Sequence, residues 1–152
     1  MKLSDQLVSL ELSKQLKECG YKQEGLWLWV ENSKDGTIRL WFQEAAEIEF
    51  NSYKNASFSK WKKQNTTMFD TCRVYFAPTV AELGERLPKW IKPFDLMCLE
   101  ITHSDSPVMH INTWYVSYVC PNNKKKPIDI EDKSLANALA QMYIYLQKEG
   151  LI

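Results

Sequence analysis

The sequence predicts a single α+β domain over residues 1–152. It is expected to hold a mostly antiparallel sheet of four to five strands built from two hairpins, with helices on one or both faces, in the order α-β-β-β-α-β-β-α. Two observations carry this. Strictly alternating segments flank turn-forming residues in two places, and segments of helical periodicity begin on capping residues at the start, middle and end of the chain.

The first helix is expected to start at Ser9, whose hydroxyl can cap the opening turn. Leu12, Leu16 and Cys19 follow at helical spacing, and Gly20 ends the segment. Leu26–Val30 and Thr37–Phe42 then alternate around Asn32-Ser33-Lys34-Asp35-Gly36, which carries the Asp-Gly signal of a hairpin. Glu44–Phe50 and Ser59–Lys63 suggest short helical turns, and Cys72–Phe76 reads as a strand. Thr79 and Glu82 form a T-x-x-E capping box ahead of Val80, Leu83 and Leu87, and Pro88 closes that helix. Leu96–His103 and His110–Val119 read as a second hairpin across Ser104-Asp105-Ser106-Pro107. Pro121–Pro127 reads as a polar loop. A last helix is expected from about Asp132 to Glu149, with Leu135, Leu139, Met142 and Leu146 as its stripe and Gly150 as its stop. Tyr143, Ile144 and Tyr145 make it apolar around much of its girth, so cover on several sides is expected.

Nineteen basic and nineteen acidic residues cancel, which leaves no global field to draw nucleic acid or an anionic membrane. Lys54, Lys60, Lys62 and Lys63, and the run Lys124–Lys126, read as solvated loop surface despite Phe58 and Trp61 within the first group. Nucleic acid is therefore not expected as a partner. No apolar run approaches the ~20 residues that span a bilayer, and no secretory leader is expected from the polar Met1–Ser9, so a soluble cytoplasmic protein is the expectation. Cys19, Cys72, Cys98 and Cys120 lie outside any C-x-x-C spacing, and reduced thiols follow from that compartment.

Six Trp, seven Tyr and six Phe stand against five Gly, so the core can be built of large rings. Alternation places Leu26, Leu28, Val30, Ile38, Leu40 and Phe42 on one face of the first hairpin and Trp27, Trp29, Arg39 and Trp41 on the other. In the second hairpin Met97, Leu99 and Ile101 alternate with Leu96, Cys98 and Glu100. Both hairpins thus offer apolar side chains on two faces. Either helices cover both faces or an aromatic face stays open for a ligand or partner. The covered arrangement is the expected one, because large exposed apolar patches are rare on monomers.

Three stretches resemble a family of small uncharacterised bacteriophage and prophage proteins. They are Ser9–Glu18 running into Trp27-Leu28-Trp29-Val30, then Ala77–Pro88 (APTVAELGERLP), then Leu135–Ala140 (LANALA). The resemblance implies a phage or prophage accessory protein in the host-cell cytoplasm. It brings no activity, cofactor or catalytic residue to any position.

No nucleophile elbow, P-loop, dinucleotide fingerprint or zincin motif is present, so neither catalysis nor a cofactor is expected. His103 and His110 flank the second turn and, with Asp105, make a weak candidate for a metal or acid–base site, which a polar hairpin tip explains as well. Cys98 and His103 have opposite parity and so face apart. Arg39 among Trp27, Trp29 and Trp41 could stack on indole and hold a phosphate or carboxylate, or form an ion pair with Glu100. The leading expectation is binding of a protein partner, self-association included, through the aromatic sheet face or the apolar last helix. The alternative is a nucleotide-like ligand held by Arg39 and the neighbouring tryptophans.

Overall fold

The computed structural model describes Leu3 and residues 6–42, 72–91, 97–106, 111–120 and 128–152. The helical turns expected between Glu44 and Lys63 lie outside the described residues, as do both lysine runs, the 121–127 loop and His110. Within them the class is α+β, in the order α1 (Leu10–Glu18), β1 (Trp27–Asn32), β2 (Ile38–Phe42), β3 (Cys72–Phe76), α2 (Val80–Arg86), β4 (Trp90–Ile91), β5 (Met97–Ser106), β6 (Ile111–Val119), β7 (Ile128–Asp132) and α3 (Leu135–Lys148).

The helices begin and end on the residues whose chemistry demands it. Ser9 accepts from the Leu12 amide, Ser134 from the Asn137 amide, and Thr79 and Glu82 satisfy each other's backbone as a complete capping box. Gly20 and Gly150 take left-handed conformations (φ 81° and 64°). The next amides, of Tyr21 and Leu151, reach back to the carbonyls of Leu16 and Leu146. Both ends are Schellman turns, which satisfy carbonyls that the helix leaves orphaned.

The strands form two antiparallel sheets rather than one, with orders β2-β1-β3 and β4-β5-β6-β7. β4 and β7 are additional to the expected strands, and β5 runs on to Ser106, so Ser104, Asp105 and Ser106 belong to the strand instead of the turn. In the four-stranded sheet the row Leu99, Tyr118, Ile128 and the row Ile101, Val116, Ile130 share one face. α3 packs on that face against β6 and β7. The other face carries Glu100, Thr102, Asp129 and Glu131, all exposed. The expectation of two apolar faces therefore fails over most of this hairpin, because Glu100 and Thr102 of β5 and Asp129 and Glu131 of β7 share the second face, which stays apolar at the Trp90–Cys98–Val119 row.

α1 and α2 pack on α3, and α1 also meets β3. α3 buries Ala136, Ala138, Leu139, Ala140, Met142, Ile144 and Leu146. An all-round apolar helix has here become the centre of the core, joined by Leu16 of α1, Leu83 of α2 and Val116 and Tyr118 of β6.

Candidate functional site

The four residues grouped on one face of the first hairpin are not together. β1 and β2 pair Leu28 with Trp41, Trp29 with Leu40 and Val30 with Arg39. Trp27 and Trp29 therefore share a face with Leu40 and Phe42, whereas Arg39 and Trp41 lie on the opposite face with Leu28 and Val30. The cause is loop parity. Asn32 donates to the Thr37 carbonyl across four intervening residues, and an even-numbered loop pairs odd positions with even ones. Arg39 and Glu100 belong to different sheets, so the ion pair considered for them does not form.

The tryptophan face of β1 is in use inside the domain. Trp29 donates its indole N–H to the Val8 carbonyl at 2.8 Å, and Trp27 meets Phe42 edge-on at 5.3 Å between ring centroids. Beside them Lys14 of α1 bonds Glu31 at 2.9 Å, and Lys14 and Lys17 stand 5.4 and 5.0 Å from the Tyr75 ring centre. Burial holds the Lys17 ammonium below its ordinary pKa, while the Glu31 hydrogen bond raises that of Lys14. Trp27, Trp29 and Trp41 are half-buried, and Arg39 is exposed.

A different constellation forms at the far end of the second sheet. β5 and β6 pair His103 with Trp114, and Trp114 in turn pairs with Asp132 of β7. The imidazole and indole lie in a tilted stack, 4.4 Å between centroids at 39°. His103 Nε2 is 2.6 Å from Asn112 Oδ1. Because that oxygen only accepts, Nε2 carries the proton, which leaves Nδ1 and the Asn112 amide N–H groups for other partners. Cys98 pairs with Val119 on the opposite face from His103, as parity requires, so no thiol–imidazole couple exists there.

These side chains line a cleft of about 840 Å³. Its second wall is the entrance to α2, Thr79-Val80-Ala81, and its third is Lys133 and Leu135 at the start of α3. Gln6 closes one side. The walls are tied together by the backbone. The Val8 amide donates to the Pro78 carbonyl, and the Val80 amide to that of Gln6, each at 3.1 Å. Asp132 is drawn to the helix instead of the cleft, since it accepts from the Ser134 amide and from Gln141 Nε2, both at 2.8 Å. Among the described residues the cleft thus has an aromatic floor, apolar patches, two side-chain amides, one hydroxyl, one imidazole and one ammonium, and no carboxylate in its lining.

Of the candidate site residues read from the sequence, the described lining includes His103 alone, while Thr79, Val80 and Leu135, read as helix caps and core, also border it. Trp114, Asn112 and Lys133 were missed: a turn centred on Ser104–Pro107 falls three residues short of the register that puts His103 opposite Trp114. Among the described residues no three of His, Cys, Asp and Glu gather as metal ligands would, and no helix is long and apolar enough to cross a membrane. No protein-family model, curated protein or solved structure matches the chain.

Proposed function

We propose that this protein works by binding, without chemistry, and that the His103–Trp114 cleft is where a small organic ligand sits. The observation that carries the reading is the cleft itself. Its volume falls in the range of ligand sites, and a few polar groups converge on a largely apolar, ring-floored surface. The imidazole in it is paired with an amide rather than with a carboxylate or thiol, which suits recognition better than proton transfer. In the setting that its three sequence blocks resemble, such a protein would serve a phage or prophage as an accessory that captures a host-cell metabolite. The test is a fragment screen by amide NMR on labelled protein. Shifts clustering on Ala81, Asn112, Trp114 and Leu135 are expected. A screen in which no fragment moves them would defeat the reading.

A second reading, a protein partner, is favoured by one observation. Trp90 is 53% exposed and shares a row of the uncovered sheet face with Cys98 and Val119, both half-buried. Light scattering and pull-down with Trp90→Ser test it: a native protein that stays monomeric and captures nothing removes it. The last helix, whose apolar residues fill the core, offers no comparable surface.

A further inference from the structure

The geometry points to a planar aromatic anion as the ligand of the His103–Trp114 cleft, its ring against the stacked imidazole and indole and its phosphate or carboxylate toward Lys133. This deepens, and rests on, the binding reading above.

The ring half follows from the floor. Trp114 is half-buried and His103 exposed, and the two rings stack 4.4 Å apart, so their inner faces meet and a third ring would lie against an outer face of the pair at the mouth of a largely apolar hollow. Every planar heterocycle has a face that such a surface accepts, without regard to its hydrogen-bonding pattern. The amide of Asn112, fixed by its contact with His103, stands beside the rings to meet a polar ring edge.

The anion half follows from the charges. Lys133 is exposed, belongs to the lining and is in none of the ion pairs among the described residues. Among the described residues no acidic side chain shares the lining with it. The nearest in sequence, Asp132, has one oxygen on the Ser134 amide at the α3 entrance and the other on Gln141 further along the helix. The first turn of α3 contains no acidic residue, and Leu135, its first residue, also lines the cleft, so the positive end of a 14-residue helix dipole adds to the same field. An anion bound there meets the full charge of Lys133 and the α3 entrance, whose amides it shares with the Asp132 carboxylate on Ser134.

Amide NMR titration distinguishes the parts. The probes are adenosine 5′-monophosphate, indole-3-carboxylate, adenosine and inorganic phosphate, each against native protein and Lys133→Ala. Both aromatic anions are expected to shift Asn112, Trp114 and Leu135. Adenosine and phosphate should bind roughly fivefold more weakly or worse than the monophosphate, and Lys133→Ala should erase the advantage of the monophosphate over adenosine. If adenosine matches the monophosphate in native protein, or the variant keeps the difference, the anion assignment is overturned while the cleft stands as a neutral-ring site. Phosphate alone binding as tightly as the monophosphate overturns the ring assignment. If none of the four probes, nor any fragment of the screen, moves those amides, the binding reading has failed as well.

Discussion

Tyr118 is the most informative position at which to test the packing that positions the cleft. Its side chain is fully buried in the row Leu99–Tyr118–Ile128 beneath α3, and its hydroxyl donates to the Pro88 carbonyl at 2.5 Å. That bond ties β6 to the chain leaving α2, adding to the β4–β5 pairing and the Leu99 amide to Lys89 carbonyl bond that join the same segment to the sheet. Tyr118→Phe keeps the ring and opens a void no larger than one oxygen, so the cavity contribution is small. What is lost is the hydrogen bond, at about 1 kcal/mol net, and a half-buried carbonyl is left without its partner, for a total of about 2 kcal/mol. In a chain of 152 residues each kcal/mol lowers Tm by ~2–4 °C, so a drop of ~4–8 °C is expected. Urea titration should show a lower midpoint with an unchanged slope, since the surface exposed on unfolding is the same. Tyr143→Phe is the comparison. Its oxygen accepts from Gln147 Nε2 at 3.2 Å in a half-buried setting, and its loss should cost less than about 1 kcal/mol. Equal costs for the two variants would refute the assignment of the Tyr118 hydroxyl as a structural tie.

Alkaline pH should act through Tyr21, whose phenol burial pushes up to about 12, with Arg86 opposing and Glu82 reinforcing the shift. A raised phenol pKa means the fold favours the neutral form. That stability is whole below pH ~10 and is lost as pH rises from ~10 to ~12, on the order of 2–3 kcal/mol in all. Burial raises the Tyr118 phenol as well, so Tyr21→Phe should lessen but not abolish the alkaline loss, measured alongside tyrosinate absorbance, and an unchanged profile would count against it. Asn137 Oδ1 accepts from the Ser9 amide at 3.0 Å, joining the entrance of α1 to the first turn of α3. Asn137→Ala should cost about 1–2 kcal/mol and speed hydrogen exchange at Ser9, Asn137→Asp should restore both, and no change in exchange would break the link.

Where the determinants were local, the sequence was readable. Ser9, Thr79 with Glu82, Gly20 and Gly150 act within a few residues of their own positions, and each helix boundary lies within three residues of its expected place. Register was harder. The Asp-Gly turn correctly announced the first hairpin, yet whether Trp29 shares a face with Trp41 or with Leu40 depends on whether four or five residues close the loop. The alternation is identical in both cases. β4 and β7 escaped for a different reason: two residues carry no period, and Ile128-Asp129-Ile130-Glu131-Asp132 alternates clearly but adjoins the expected start of the last helix. Without those strands the polar face of the second sheet and the pairing of Trp114 with Asp132 could not be seen.

The cleft comes from a difference in length. At ~3.3 Å per residue the ten-residue β5 and nine-residue β6 extend about 30 Å, whereas 14 residues of α-helix at 1.5 Å each cover about 21 Å. β7 stops at Asp132, opposite Trp114, and α3 starts three residues later. Trp114 is therefore the last residue of β6 with a strand on both sides. Beyond it, among the described strands, Asn112 continues with β5 alone, and it shares the cleft with Leu135, the first residue of α3. A ring placed at that boundary is half-covered by necessity, and a sheet that outran its helix without a ring there would present only exposed backbone edges and short side chains. Periodicity records which face of an element is apolar; it does not record where one element ends relative to the element packed on it. So the tryptophans that alternation made conspicuous, Trp27 and Trp29, went to internal packing, and the one that ended up beside an open hollow was Trp114, whose place is fixed by where two neighbouring elements stop.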